Sequence, residues 1–447
     1  ANAQNFGDSS STITNYSFDF GDHTTPVSGT SPTAGHTYAK PGAYTVTVTV
    51  TDATGATSTA THSYATQAGD FTPSGPTRLL DTRNGTGAPV GAVPSNGVVN
   101  LKIAGVGVIP GNATAVVVNL TALAATQSGY LEVYGHGDPA PGTSALNFGV
   151  GDVVPNLAVV KLGADGSIDL LNGSGGTVQL LADVTGYFTV APTDGYTALS
   201  PDRLLDTRTG TGAPKAPVTA GHSVVLTVAG ADGGKLPTSG IKAVALNVTV
   251  TGTVGAGFIS AYPDGTTRPV TSNLNFTTGQ TVPNMVIVPV GADGKVDLYN
   301  SASSVNLVAD VTGYFSADGA SAYFPLPAYR VADSRLGNGL ATPIGAAQNE
   351  ALAMADASAP SPLFQNMTAF VLNVTVTGPQ AGGYLTVFPN GTTPPTASNL
   401  NFNPGQTIAN MVLAAPGSDA GKSVGFHNGS GGTVNVIADL SGVFGTY

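Results

Sequence analysis

The sequence predicts an all-β protein of tandem antiparallel domains, β-sandwich or jelly-roll-like, and three observations carry the prediction. Apolar and polar residues alternate over short stretches: in 44–52, Tyr44, Val46, Val48 and Val50 share one face, and Thr45, Thr47, Thr49 and Thr51 the other. A period of two marks a strand buried on one side. Turn formers such as Gly163-Ala164-Asp165-Gly166 separate the stretches, and no eleven-residue window of the later chain has the pattern of an amphipathic helix. The third observation is internal repetition, which sets the domain count.

Arg78-Leu79-Leu80-Asp81-Thr82-Arg83 recurs as Arg203-Leu204-Leu205-Asp206-Thr207-Arg208 and, altered, as Arg330-Val331-Ala332-Asp333-Ser334-Arg335. The central aspartates lie 125 and 127 residues apart. Val118-Asn119-Leu120-Thr121 returns at 246–249 and 372–375, and Leu146-Asn147-Phe148 at 274–276 and 400–402. The closing phrase Ala182-Asp183-Val184-Thr185-Gly186-Tyr187-Phe188 returns at 309–315 and 438–444. Four landmarks in one order define three copies, each of domain size and owning its own core. The boundaries read as a small module at 1–66, then copies at 71–188, 199–315 and 322–447. Stretches 189–198 and 316–321 are built mostly of small or polar residues and read as linkers, so four domains in a row are expected. Within the first copy, strands are expected at 115–121, 129–134, 157–163, 167–171 and 177–184.

Composition narrows the function classes. At 447 residues the chain exceeds a single core. Only 9% of residues are charged, but 41% are hydrophobic and patterned, which favours packing over disorder. A net charge of −11 with no Lys/Arg cluster argues against a nucleic-acid partner. The chain has no cysteine, which removes disulfides and thiolate metal sites. Its most apolar run, 115–125, is interrupted by Asn119 and Thr121 and is too short to span a bilayer, so no membrane insertion is expected. No signal peptide is visible, and the composition fits the mature form of an exported bacterial protein.

Around the alternating strand stand two motifs, Phe18-Asp19-Phe20-Gly21-Asp22 and His36-Thr37-Tyr38-Ala39-Lys40-Pro41-Gly42-Ala43-Tyr44. Over residues 1–66 the sequence resembles the PKD family, which implies an Ig-like sandwich of the kind common in bacterial surface proteins and secreted hydrolases. The first strand of that family is missing before the stretch at 1–15. An open sheet edge would result, and such edges accept a strand from a neighbour and permit self-assembly. The three copies resemble repeats of secreted actinobacterial proteins, a resemblance that implies an extracellular setting, secreted or cell-envelope associated, but no particular activity.

Few residues suggest chemistry. There is no G-x-S-x-G elbow, H-E-x-x-H or Walker loop, and none of the six histidines holds the same landmark in all copies. No catalytic residue is assigned. Arg78, Asp81 and Arg83, with Arg203, Asp206 and Arg208 and with Arg330, Asp333 and Arg335, are read as structural ion pairs. Each aspartate would bridge two arginines and reach Asp183, Asp310 or Asp439 near the copy's end; a carboxylate or sugar site is the competing reading. The repeated Asn147, Asn275 and Asn401, with Asn156, Asn284 and Asn410, are expected to satisfy backbone groups at bends. The sequons at Asn119, Asn247 and Asn373 fall inside strands.

In 130–134, Tyr130, Glu132 and Tyr134 share a face; copy two offers Phe258, Ser260 and Tyr262, and copy three Tyr384, Thr386 and Phe388. Tyr130, Tyr134, Phe258, Tyr262, Tyr384 and Phe388 are therefore candidate ligand-stacking residues for sugar rings, with packing against a neighbour as the plainer alternative. No cofactor or metal is called for; a structural calcium ion stays open at Asp165 and Asp293 in their turns or at Asp19 and Asp22. The expected protein is non-catalytic, extracellular and structural or adhesive: a surface stalk, fibre subunit or envelope attachment region, with cell-surface glycans or sister subunits as partners. The alternative is a carbohydrate-binding accessory region of a secreted polysaccharide hydrolase.

Overall fold

The computed structural model describes residues 12–36, 38, 43–65, 68–191, 193–354 and 366–446. The stretch 1–11, on which the missing strand and open edge were expected, lies outside these residues, as do Thr37 and 39–42 of the second motif. The N-terminal module forms one four-stranded antiparallel sheet in the order β2-β1-β3-β4, from β1 (Ile13–Asp19), β2 (Val27–Gly29), β3 (Ala43–Asp52) and β4 (Thr57–Ala65). Phe18, Phe20, Tyr38 and Val46 make its core, with Tyr44 and Val48 packed on it, so the Tyr/Val face of β3 points inward as its alternation requires.

The first copy has eight strands: β5 (Asp70–Asp81), β6 (Val98–Lys102), β7 (Ala113–Leu123), β8 (Gly129–Gly135), β9 (Leu146–Phe148), β10 (Val154–Lys161), β11 (Ser167–Asn172) and β12 (Gln179–Thr189). They form two sheets, β10-β7-β12-β5 and β6-β11-β8-β9, the strand order of a jelly roll. The second copy repeats the order with β13 (Gly195–Asp206), β14 (Ser223–Thr227), β15 (Ile241–Thr251), β16 (Gly257–Pro263), β17 (Leu274–Phe276), β18 (Val282–Pro289), β19 (Lys295–Asn300) and β20 (Asn306–Ser316). The third does so with β21 (Ala322–Asp333), β22 (Asn349–Leu352), β23 (Met367–Thr377), β24 (Gly383–Pro389), β25 (Leu400–Phe402), β26 (Ile408–Ala414), β27 (Val424–Asn428) and β28 (Asn435–Gly445). Each copy keeps a separate apolar core between its two sheets.

The expected row of hinged domains is corrected by a fourth core. Leu157, Val159, Met285, Ile287, Met411 and Leu413, from the edge strands β10, β18 and β26, pack together in one buried cluster with residues from all three copies. The copies therefore close around a pseudo-threefold axis. Six rings plug one end of that axis in a cyclic pattern. Phe71 meets Phe315 at 4.3 Å, Tyr196 meets Phe444 at 4.4 Å and Tyr323 meets Phe188 at 4.5 Å, each pair joining two copies.

Backbone closes the same ring. The Phe71 N–H donates to Asp194 O (3.0 Å), that of Tyr196 to Ser321 O (2.8 Å), and Gly69 and Tyr323 exchange two bonds of 2.8 Å. Of the segments read as linkers, 195–198 belong to β13, where Tyr196 is only 1% exposed, whereas 317–320 remain a turn between β20 and β21. The glycine of the closing phrase has a role here. The rings of Phe71, Tyr196 and Tyr323 occupy the space that a Cβ on Gly186, Gly313 and Gly442 would need, so only glycine admits the plug.

Candidate functional site

The repeated charges come first, because they are the most persistent polar groups. Arg78 on β5 grips Asp183 on β12 with two parallel bonds, Nε at 2.8 Å and Nη2 at 2.9 Å. Asp81 takes two bonds from Arg83, at 2.9 and 2.7 Å, and lies 3.6 Å from Arg78. Copy two repeats this with Arg203–Asp310, Arg208–Asp206 and Arg203–Asp206, and copy three with Arg330–Asp439, Arg335–Asp333 and Arg330–Asp333. In all three copies an arginine of the first strand is fastened to an aspartate of the last. The forks are occupied by protein carboxylates, which leaves the inner arginines little to offer a ligand.

The electrostatics run in two directions. Arg83, Arg208 and Arg335 hold the carboxyls of Asp81, Asp206 and Asp333 below the ordinary range. Burial pushes Asp183, Asp310 and Asp439 upward against the pull of their arginines. A lowered carboxyl contributes stability that is full above its unfolded pKa and lost as pH falls through the folded value; a raised one runs the other way. Asp81→Asn is therefore expected to destabilise the fold more at pH 6 than near pH 2.5, read by urea unfolding at each pH. An equal loss at both would remove Asp81 from the acid response.

Asn156, Asn284 and Asn410 do satisfy backbone at bends, donating to Ala145 O, Asn273 O and Asn399 O of their own copies at 2.6 Å each. They reach across copies as well, whereas Asn147, Asn275 and Asn401 bond serine hydroxyls. Asn284 accepts from the Leu157 N–H (3.3 Å), Asn410 from Met285 (3.0 Å) and Asn156 from Met411 (3.1 Å). The same amides donate to Asn119, Asn247 and Asn373, at 3.0, 2.8 and 2.8 Å, closing a cycle of three. Each central edge strand thus has an outward N–H capped by its neighbour, which answers the edge-pairing hazard from within the chain. Asn119 and Asn247 are 1% exposed, so the first two sequons are closed to a glycan in the folded protein.

The stacking candidates divide. Tyr262 is 7% and Phe388 3% exposed, so neither is an open platform. The Tyr262 hydroxyl lies 3.3 Å from Ser223 Oγ, and the Phe388 ring lies against Gly425, on the space a Cβ there would occupy. The polar residue between each aromatic pair is also covered. Glu132 accepts from the Gly142 N–H (3.1 Å), Ser260 donates to Thr271 O (2.5 Å) and Thr386 to Ala397 O (2.5 Å), each pinning the following loop over the sheet. Tyr134 is half-buried and lines a cleft at the seam of copies one and three together with Leu326 and Pro327. Phe258 is half-buried, 6.4 Å from Tyr299. Tyr130 and Tyr384, each 38% exposed, are the rings that reach solvent.

The calcium candidates are engaged locally. Asp165 Oδ1 accepts from the Ser167 N–H at 3.0 Å, Asp293 pairs with Lys295 at 3.0 Å, and Asp19 accepts from Gly21 at 2.8 Å. Asp22 bonds Thr24 and lies 2.7 Å from His36; the Thr24 hydroxyl foremost, with His36, holds its carboxyl at about 2. Among the described residues no three His, Cys, Asp or Glu side chains are grouped to hold a metal ion. No helix among them is long and apolar enough to cross a membrane.

Residues 1–67 match the family model described as PKD domain. No curated protein matches the chain. Among solved structures, carbohydrate-binding modules of the β-sandwich superfamily are similar at 16% identity and a TM-score of 0.15, over 41% of this chain and 82% of theirs. The N-terminal CBM22 tandem of Paenibacillus barcinonensis Xyn10C is 14% identical, with a TM-score of 0.16, over 57% of this chain and 100% of its own. A triple-jelly-roll turret protein of an archaeal virus is 9% identical, with a TM-score of 0.17, over 84% of this chain and 90% of its own. At such values the likeness carries no weight for ligand or activity.

Proposed function

We propose that the chain is a non-catalytic extracellular protein of structural or adhesive type, in which a three-copy head is joined to a PKD module. The observation that carries this reading is the use made of the repeated polar groups: the arginine–aspartate pairs join strands within a copy and the asparagines join copies, so the persistent chemistry of the chain is fastening. The PKD domain supports an extracellular setting, and the resemblance of the copies to actinobacterial repeats points the same way. Because the three central edge strands cap one another, display of surfaces from one rigid body is favoured over lateral polymerisation through those edges. Tethering then lets weak sites add up. The half-exposed Tyr130 and Tyr384 favour a second reading, a carbohydrate-binding accessory region of a secreted polysaccharide hydrolase.

The test is retention of the purified full chain on insoluble cell-envelope material and on cellulose, chitin and xylan, with light scattering and a hydrolase substrate panel alongside. A monodisperse chain retained on at least one surface without turnover is expected. Turnover of any substrate, or a monodisperse chain retained on none, would overturn the proposal.

A further inference from the structure

Tyr130 and Tyr384 occupy matched positions, and their surroundings match as well. Each ring covers the first glycine of an Asn-Gly-Ser-Gly-Gly turn, Gly173 or Gly429, taking the space a Cβ would fill. The turn itself is knotted: Asn172 Oδ1 accepts from the Ser174 N–H at 3.0 Å and hydroxyl at 2.7 Å, and Asn428 does the same for Ser430 at the same distances. A second glycine, Gly129 or Gly383, lets Ser174 or Ser430 approach the strand that carries the ring. The tyrosine is thereby supported on one face by fixed backbone while remaining 38% exposed.

Directly across the sheet, Tyr130 pairs with Asn147 and Tyr384 with Asn401. Side chains opposed in this way share a face and stand about 5 Å apart at Cβ. Both asparagines are half-buried, and both use Oδ1 as acceptor, for Ser144 Oγ at 3.2 Å and Ser398 Oγ at 3.1 Å. That leaves the amide N–H₂ of each as the donor presented beside the ring.

Copy two keeps Gly257, Asn300 and the Phe258–Asn275 pairing but changes the surface they carry. Phe258 replaces tyrosine and Ser301 replaces the supporting glycine, its hydroxyl taking the Phe258 N–H at 2.7 Å. Asn275 directs its Nδ2 to Ser272 Oγ (3.3 Å) instead of accepting from it. The full platform is therefore present twice.

We propose that Tyr130 with Asn147, and Tyr384 with Asn401, form two equivalent binding sites for a pyranose ring of a neutral polysaccharide, with copy two carrying none. The match is chemical. A pyranose has a C–H face that is apolar and a rim of hydroxyls that need partners, so it fits a flat uncharged ring with an amide donor at its edge and a phenol hydroxyl on its plane. Two sites on one rigid head would engage one polymer together. The proposal deepens the adhesive reading above and rests on it for its setting.

The test uses the full chain with soluble cellohexaose, xylohexaose, mannohexaose and chitohexaose, followed by calorimetry and by changes in tyrosine NMR signals, and with the matching insoluble polymers. At least one oligosaccharide is expected to perturb tyrosine resonances. On the polymer, Tyr130→Ala or Tyr384→Ala alone is expected to lose at least about tenfold in affinity through lost avidity. The double variant is expected to lose binding, Tyr130→Phe to retain most of it, and Phe258→Ala to bind as the parent does. A double variant that binds as tightly as the parent, or a parent that binds none of the oligosaccharides, would overturn the sites. Retention of the double variant on cell-envelope material in either case would leave the adhesive reading standing.

Discussion

Arg78→Ala is expected to lower the unfolding free energy by about 3–5 kcal/mol, read by urea denaturation at pH 7, because it removes the partner of an aspartate buried in the sheet. Asp183 is 1% exposed and takes both bonds of the Arg78 fork. Without the guanidinium its charge has no compensation, and the carboxyl must take up a proton or draw in water. Asp183→Ala alone removes the opposite partner and leaves a side chain 21% exposed, so it is expected to cost less. Removing both is expected to cost less than the sum of the two, since the pair acts as a unit; strict additivity would mean the bonds contribute nothing jointly. The same asymmetry should appear at Arg203–Asp310 and Arg330–Asp439, whose geometry is alike.

Phe444→Ala should be at least as damaging, about 3–5 kcal/mol for a large ring deleted from a closed core, and its effect should not stay in copy three. Phe444 is 1% exposed and lies within 6.0 Å of Phe188 in copy one, 4.4 Å of Tyr196 in copy two and 5.2 Å of Tyr323 in its own copy. The cavity opens where all three copies meet. Hydrogen exchange is therefore expected to quicken at the start of β5, β13 and β21 together. Quickening confined to β21 and β28 would show that the copies do not share the plug.

Much of the copy was legible in the sequence because its elements answer to local rules. The alternation of β3, the turn residues and the landmarks name strands, faces and repeats without reference to anything distant. The five strands read in copy one correspond to β7, β8, β10, β11 and β12, whereas β5, β6 and β9 lack a clear alternating pattern. The ring of copies left a signal that is plain in hindsight. Over 115–122 β7 does not alternate: Ala115 and Val117 go to the central core while Val116, Val118, Leu120 and Ala122 go to the copy's own. A strand apolar on both faces needs covers on both sides, and a row of separate sandwiches supplies only one. Sequence repetition alone cannot say that Asn156 meets the backbone of another copy, at Met411, as well as a bend of its own at Ala145, since each copy carries the same residues. The face that carries the aromatic candidates can be read from the period of two, but its cover cannot. Tyr262 and Phe388 share a face with Phe258 and Tyr384, and the path of the loop over them depends on contacts such as Ser260 to Thr271 and Thr386 to Ala397, which no spacing encodes.

The closed ring is tested most directly by distances between the copies. The chain has no cysteine, so spin labels can be placed in pairs at the matched exposed loop positions Val90, Lys215 and Thr342 and read by pulsed electron resonance. A pseudo-threefold head predicts three similar distance distributions, that between copies one and three included. A one–three distance about twice the other two would contradict the ring and return the copies to a row.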